Sequence, residues 1–349
     1  MELKNVLLVD WEITQRCNLN CVFCAIKNLK SQEPFIGKKE LRVTEIAQLG
    51  EAISEHALRL GKHVFVSWTG GEPLLELRKM LECSKFFKEK LEFDLGMTTN
   101  GVLLTRAVAR KILSTLRVIT ISIDGTRDTH NILRGGNIYS KVITNLKMLV
   151  DEKRKQKSDA IICIATVLTH QNVHEFKSIV RLALSIGIDR ITIFPMQYEK
   201  DSTVYSLYGL KEDDIPYLYE IYDIAKDQSN VHIDMPREYF DRIIKYINGT
   251  IKRPKCCFAG ENIIFIDAYG NIFPCCSFFP KDLGEYFLPL SDVVKLIAED
   301  RIKAYIDTIR ANVKFLDKRG ERYNTCDHCL NIWNIKLCSR SACLEGWDR

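Results

Sequence analysis

Cys17, Cys21 and Cys24 are spaced C-x3-C-x2-C directly after a strand-like segment from Leu7 to Ile13. Three thiolates on one loop can each bind one iron of a cubane cluster and leave the fourth iron open to a chelating substrate. Zinc is the alternative occupant, but it more often takes C-x2-C pairs completed by a fourth Cys or His. No histidine precedes His56. Iron–sulfur is favoured on spacing, and zinc stays open. The 13 cysteines are not scattered. A second group is Cys256, Cys257, Cys275 and Cys276, and a third is Cys326, Cys329, Cys338 and Cys343. Cys83 and Cys163 stand alone in apolar settings and read as core packing.

The compartment decides what such groups mean. Met1–Trp11 has no basic leader, its only apolar run is Val6–Val9, and no later run reaches membrane-span length. The expected location is the cytoplasm, with no membrane partner. There thiols stay reduced, and clustered cysteines are read as metal ligands. With 50 Lys and Arg against 45 Asp and Glu, the net charge is +5. The two signs are interspersed, so no basic stripe for nucleic acid stands out. A length of 349 residues with 46% hydrophobic residues suits one large domain plus a smaller one.

The elements that must position the first cysteine group alternate in type. Strands are expected at Leu7–Ile13, Val64–Trp68, Asp94–Thr98, Val118–Ile123, Ile161–Leu168 and Arg190–Phe194. Helical patterns fall between them at Val43–Leu60 with a cap at Thr44, Leu74–Leu91, Arg106–Leu116 after Thr105, Ser140–Glu152 and Val173–Ile186. Strand–helix alternation argues for a parallel sheet with right-handed crossovers, as a partial (β/α)6 barrel. Runs such as Val118–Ile121 and Ile161–Ile164 are nearly all apolar, as expected where both faces of a sheet are covered. In such a fold the chemistry sits at the C-terminal ends of the strands. After Pro195 come helical stretches around Ile215–Asp227 and Pro236–Ile247, then a hairpin of Ile263–Ile266 and Asn271–Pro274 around Tyr269-Gly270, then Val293–Glu299 and Arg301–Ile309. The simplest division is residues 1–250 and a cysteine-rich 251–349.

Residues 16–24 read R-C-N-L-N-C-V-F-C, and this loop resembles the signature of the radical S-adenosylmethionine (SAM) superfamily. Further segments agree in order: Gly70-Gly71-Glu72-Pro73, Thr98-Thr99-Asn100-Gly101, Ser122-Ile123-Asp124-Gly125 and Arg134-Gly135. The resemblance spans roughly residues 5–200. It implies a [4Fe–4S] cluster on Cys17, Cys21 and Cys24 whose open iron chelates SAM, with Phe23 near the adenine. Gly70 and Gly71 would let backbone approach the ligand. Glu72 would accept from the SAM ammonium, Ser122 and Asp124 would face the ribose, and Arg134 would pair with the SAM carboxylate.

Cys257, Gly270 and Cys275 form C-x12-G-x4-C, followed by C-x2-C-x8-C-x4-C from Cys326. This is similar to the auxiliary-cluster extension called SPASM, or its shorter form, twitch. One auxiliary [4Fe–4S] cluster on Cys257, Cys275, Cys326 and Cys329 is implied. A second would draw on Cys338 and Cys343, with Cys256 or Cys276 making up the set or with one iron left open. The spacing departs from the full SPASM pattern, and a zinc ribbon is the alternative. Cys276 falls where sulfatase-maturing relatives carry an acidic base, and a thiol there is a candidate hydrogen-atom donor. The implied activity is reductive cleavage of SAM to a 5′-deoxyadenosyl radical, with an electron from a flavodoxin- or ferredoxin-type donor. Hydrogen abstraction from a peptide or protein would follow, giving oxidation or cross-linking with an auxiliary cluster as electron acceptor. Only sixteen residues precede Cys17, short of a leader-binding domain. Dehydrogenation or epimerisation of a small molecule, an aminoglycoside sugar or a tetrapyrrole side chain, therefore stays open. A non-enzymatic metal scaffold is the third reading.

Overall fold

The structure is a computed structural model that describes residues 5–24, 26, 39–196, 202–227, 231–251, 259–273, 288–312, 315–316 and 322–323. Its centre is a nine-stranded sheet in the order β7-β6-β5-β4-β3-β2-β1-β8-β9. The strands are β1 (Val6–Thr14), β2 (His63–Gly70), β3 (Asp94–Thr99), β4 (Val118–Ser122), β5 (Ile161–Leu168), β6 (Arg190–Pro195), β7 (His232–Asp234), β8 (Ile263–Ile266) and β9 (Ile272–Phe273). Every pairing from β7 across to β8 is parallel, and within this sheet the β8–β9 pair alone is antiparallel.

Because β1 to β7 follow chain order, crossovers of one hand place the connecting helices on the same face. These are α1 (Val43–Arg59), α2 (Leu77–Lys90), α3 (Arg106–Thr115), α4 (Arg127–Arg134), α5 (Tyr139–Gln156) and α6 (Phe176–Ile186). After β6 come α7 (Thr203–Tyr208), α8 (Ile215–Lys226) and α9 (Arg237–Ile247), and after β9 come α10 (Leu290–Ala298) and α11 (Ile302–Asn312). The helix boundaries follow local chemistry. Thr105 caps α3, its side chain accepting from the Val108 amide, and Ala109, Ile112 and Leu113 turn inward at helical spacing. The expected cap at Thr44 is corrected: the helix starts one residue earlier, and Glu45 Oε2 accepts from the Arg42 amide at 2.8 Å.

The apolar core lies between sheet and helices. Trp11, Trp68 and Phe87 form its aromatic centre, with ring centroids 5.6 to 5.8 Å apart. Burying a side chain such as Phe87 contributes about 1.5–3 kcal/mol. Trp11 and Trp68 lie on the two strands whose following loops carry the cysteines and the Gly-Gly-Glu turn, so this packing fixes both loop origins.

The other face differs from expectation. Along β6, Ile191 and Ile193 are buried while Arg190, Thr192 and Phe194 are only half-buried, and β2 and β4 alternate likewise. Strands β1 and β5 are buried on both faces as expected, Ile162–Thr166 throughout, whereas β2, β4 and β6 are buried on one face only. The second face of the sheet carries Asp10 and Ser67, paired across β1 and β2, Thr98 and Thr120, paired across β3 and β4, and Thr192 on β6. Small polar groups on an open concave face leave room for a ligand, where apolar ones would fill it.

The hairpin around Gly270 forms as expected, β8 to β9, turning through Asp267, whose Oδ1 accepts from the Tyr269 and Asn271 amides. It is not a detached ribbon. β8 adds parallel to the free edge of β1, pairing Leu8 with Ile263 and Trp11 with Ile266. Strand β7, too short and too polar for the alternation rule, was not expected.

Candidate active site

The C-terminal ends of β1 to β5 meet around one loop. The cysteine loop leaves β1 at a register shift between Glu12 and Thr14. The turn after β2 holds it on one side: Gly71 N donates to Thr14 O at 2.7 Å, and Glu72 N donates to Arg16 O at 2.8 Å. A Cβ on Gly71 would lie 2.1 Å from Arg16 O, so this approach requires glycine. A Cβ on Gly70 would lie 2.2 Å from Thr14 O. On the opposite side Val22 N donates to Leu133 O in the last turn of α4, at 3.0 Å.

Glu72 is fully buried. Its Oε1 accepts from Leu74 N and from Thr99 Oγ1 at 2.6 Å, and its Oε2 accepts from Asn100 N at 2.8 Å. Burial pushes this carboxyl up, and the three donors pull it back. The same side chain thus joins the ends of β2 and β3. Asn100 extends the link: its Nδ2 donates to Asn18 Oδ1 at 2.9 Å and lies 4.0 Å from Cys17 Sγ.

Asp124 and Arg134 form the other wall. Arg134 Nε is hydrogen-bonded to Asp124 Oδ2, while Asp124 Oδ1 accepts from Val167 N at 2.8 Å. Arg134 Nη1 lies 3.9 Å from Cys21 Sγ, and its guanidinium carbon sits 5.4 Å from the centroid of the Phe23 ring. Burial works against the charge on Arg134, but Asp124 and Cys21 more than restore it. Ser122 ends β4 on the same rim and is buried.

Cys17 is exposed, Cys21 buried and Cys24 intermediate. Burial pushes the Cys17 and Cys21 thiols up, and Arg134 opposes this at Cys21. A coordinating metal removes such a proton outright. Among the described residues no three Cys, His, Asp or Glu side chains converge as a single-ion site. A cubane places its three thiolates on three separate irons, and a loop with one exposed and one buried cysteine, walled by an arginine and a glycine turn, fits that group with SAM beside it.

The expected residues of the N-terminal part, Cys17, Cys21, Phe23, Cys24, Gly70, Gly71, Glu72, Ser122, Asp124 and Arg134, come together at one end of the sheet. Cys257, Cys275, Cys276, Cys326, Cys329, Cys338 and Cys343, with Cys256, lie outside the described residues. Cys83 and Cys163 are both buried as expected, Cys83 in the main apolar cluster and Cys163 on the other face of the sheet beside Thr120 and Arg190. Sequence reasoning missed His130, Glu12 and Gln15. His130 accepts from the Asp124 amide and is fully buried. Its spacing one helical turn before Arg134 was the available signal.

A family model, the radical SAM superfamily, matches residues 11–183. Residues 11–183 belong to the radical SAM superfamily. The radical SAM chain is 23% identical to the AdoMet-dependent heme synthase of Methanosarcina barkeri, over 77% of this chain and 76% of that protein. SuiB of Streptococcus suis, solved with S-adenosylmethionine, superposes with a TM-score of 0.58 at 18% identity, covering 81% of this chain and 66% of SuiB, just under two thirds. The anSMEcpe enzyme with AdoMet and a peptide gives 0.58 at 18% identity, covering 86% of this chain and 83% of that one. At these identities the two structures establish the fold, a mostly parallel α/β sheet. Among the described residues no helix is long and apolar enough to cross a membrane.

Proposed function

We propose that Cys17, Cys21 and Cys24 hold a [4Fe–4S] cluster and that this enzyme uses it to activate SAM. The observation that carries the reading is the single guanidinium of Arg134, which contacts Asp124, Cys21 and Phe23 together. A cation held there by a buried carboxylate is placed to pair with the SAM carboxylate beside the loop. Bound there, a cluster reduced by a flavodoxin- or ferredoxin-type donor would supply the electron that cleaves SAM to methionine and a 5′-deoxyadenosyl radical, the agent for hydrogen abstraction from an unactivated C–H. The chain's own residues position and enclose. Glu72 accepts from Leu74, Thr99 and Asn100 and so positions the Gly-Gly turn, and Oε2, with one donor, keeps acceptor capacity for the SAM ammonium. Phe23 and Ser122 line the nucleoside side.

For the substrate we favour a peptide or protein, oxidised or cross-linked with an auxiliary cluster on Cys257, Cys275, Cys326 and Cys329 as electron acceptor. Cys338 and Cys343 would serve a second cluster, and Cys276 would donate hydrogen only if the product is epimerised. Support comes from anSMEcpe, solved with a peptide, and SuiB, solved with its precursor peptide. A small molecule is the second reading, favoured by the heme synthase relative.

The test is product formation by anaerobically reconstituted protein given dithionite and SAM. Wild type is expected to release 5′-deoxyadenosine, and the combined Cys17→Ala, Cys21→Ala, Cys24→Ala variant none above background. Equal release from both would remove the cluster from this loop.

A further inference from the structure

The concave face has an unbalanced spot directly below the Gly-Gly turn. Glu12 lies on β1 between Trp11 and Ile13, which face the apolar core, so its own side chain faces the concave side opposite Thr69. It is only 5% exposed. A Cβ on Gly70 would lie 3.2 Å from Glu12 Cβ, which places this carboxyl beneath the turn that borders the cysteine loop. Asp10, two residues earlier on the same face, is half-buried and accepts from Ser67. Among the described residues neither Asp10 nor Glu12 has a lysine, arginine or histidine partner.

Gln15 provides an independent observation. It is 2% exposed, and its Nε2 donates to Glu12 Oε2 at 3.1 Å, so the amide is turned into this spot. Its Oε1 is buried without a hydrogen-bond partner. A buried unpaired acceptor is costly, and natural sites leave one chiefly where a ligand or water completes it. With Glu12 ionised, Asp10, Glu12 and Gln15 Oε1 are all acceptors, and what they lack is a donor bearing positive charge. A primary ammonium has three N–H donors and no acceptor, which matches this set.

We propose that Glu12, Asp10 and the Gln15 carbonyl form a subsite for a protonated amine of the substrate, seated on the concave face beneath the Gly-Gly turn. This deepens the function proposed above and rests on it, because it takes the concave face as the substrate chamber. Burial pushes Glu12 up to about 8, with Asp267 and Asp10 adding to the effect and the Gln15 and Ala268 N–H groups opposing it. Tyr269 also faces it, pushed up to about 12 by burial and by neighbouring carboxylates that include Glu40. An arriving ammonium must therefore displace the Glu12 proton, and amine affinity should rise with pH up to about 8 and then level off.

The probe is n-butylammonium chloride, titrated into the reconstituted, SAM-bound protein and read as a shift in melting temperature, with n-butanol and potassium chloride as controls. The expected result is a saturable rise with the amine alone, steepening from pH 6 to pH 8. Glu12→Gln should weaken the apparent affinity at least tenfold and abolish the pH dependence. Asp10→Asn, at a half-exposed position, should weaken it severalfold and serves should Glu12→Gln not fold. The proposal is overturned if n-butanol or potassium chloride works equally well, or if both variants respond like wild type. It is also overturned if Glu12→Gln weakens SAM binding tenfold, because the carboxyl then serves the SAM ammonium. Amine binding without 5′-deoxyadenosine production would sink the proposed function instead; production without amine binding would sink only this subsite.

Discussion

His130 accepts the Asp124 amide hydrogen on Nδ1 at 3.2 Å, so its own proton sits on Nε2, which is buried without a partner among the described residues. Protonating Nδ1 would set a donor against a donor. Burial pushes the imidazole down to about 4, Arg134 pushes the same way, and Asp124 only partly offsets them. In the unfolded chain the group titrates near its ordinary value of about 6.5. Between those values the unfolded state binds the extra proton, so stability falls as pH drops from about 6.5 towards 4. We expect His130→Gln, which keeps an acceptor for the Asp124 amide, to remove about 2 kcal/mol of the loss between pH 7 and pH 5. Melting curves of both proteins at the two pH values check this; parallel curves would show that His130 does not titrate alone there. Glu12 acts with the opposite sign, costing stability as pH rises from about 4.5 to 8. Glu12 gave no signal in the sequence, and His130 only its spacing to Arg134. A glutamate inside a strand reads as an ordinary outward polar position, and a histidine in a short helix reads as surface until the fold buries it.

At the scale of elements, α4 is what holds the cysteine loop from the far side, and it ends at Gly135 with φ 70°. A Cβ there would lie 2.4 Å from Asn20 O, inside the loop. Gly249 has the same φ of 70° but open space around it. Alanine at either position carries the left-handed penalty of about 1–2 kcal/mol. Only Gly135→Ala must also push the loop away, so it should lose cluster iron severalfold while Gly249→Ala keeps it. Iron content per chain after identical reconstitution is the measurement; equal loading would detach α4 from the site. The six expected strands all form, because long runs of β-branched residues bounded by polar turns are a local signal. Helix α4 was not expected, since Arg127–Arg134 is mostly polar and too short to show a stripe. The motifs carried the site further than the pattern did: Arg134 and Asp124 were singled out without any helix to place them on.

Across the whole molecule the pairing that extends the sheet past β1 joins distant parts of the chain. Leu8 N donates to Asn262 O at 2.8 Å, and β8 shields an edge of β1 that would otherwise face solvent. No local signal announces such a contact, which is why the hairpin was read as belonging to a separate region. A fragment of residues 1–251 lacks that cover. Its amides in β1 should lose hydrogen-exchange protection at least tenfold relative to the full chain, while those in β5, interior to the sheet, keep theirs. Unchanged protection in β1 would mean that the hairpin is only an ornament on a sheet already complete.

The position of β8 also sets a timetable. The strand that leads into the cysteine loop is synthesised roughly 250 residues ahead of its edge partner. At ordinary rates of synthesis the delay is roughly ten to fifty seconds. Through that interval an unpaired strand edge and three unligated thiols are exposed together on the nascent chain, and the delivery of iron must compete there with adhesion to neighbouring chains.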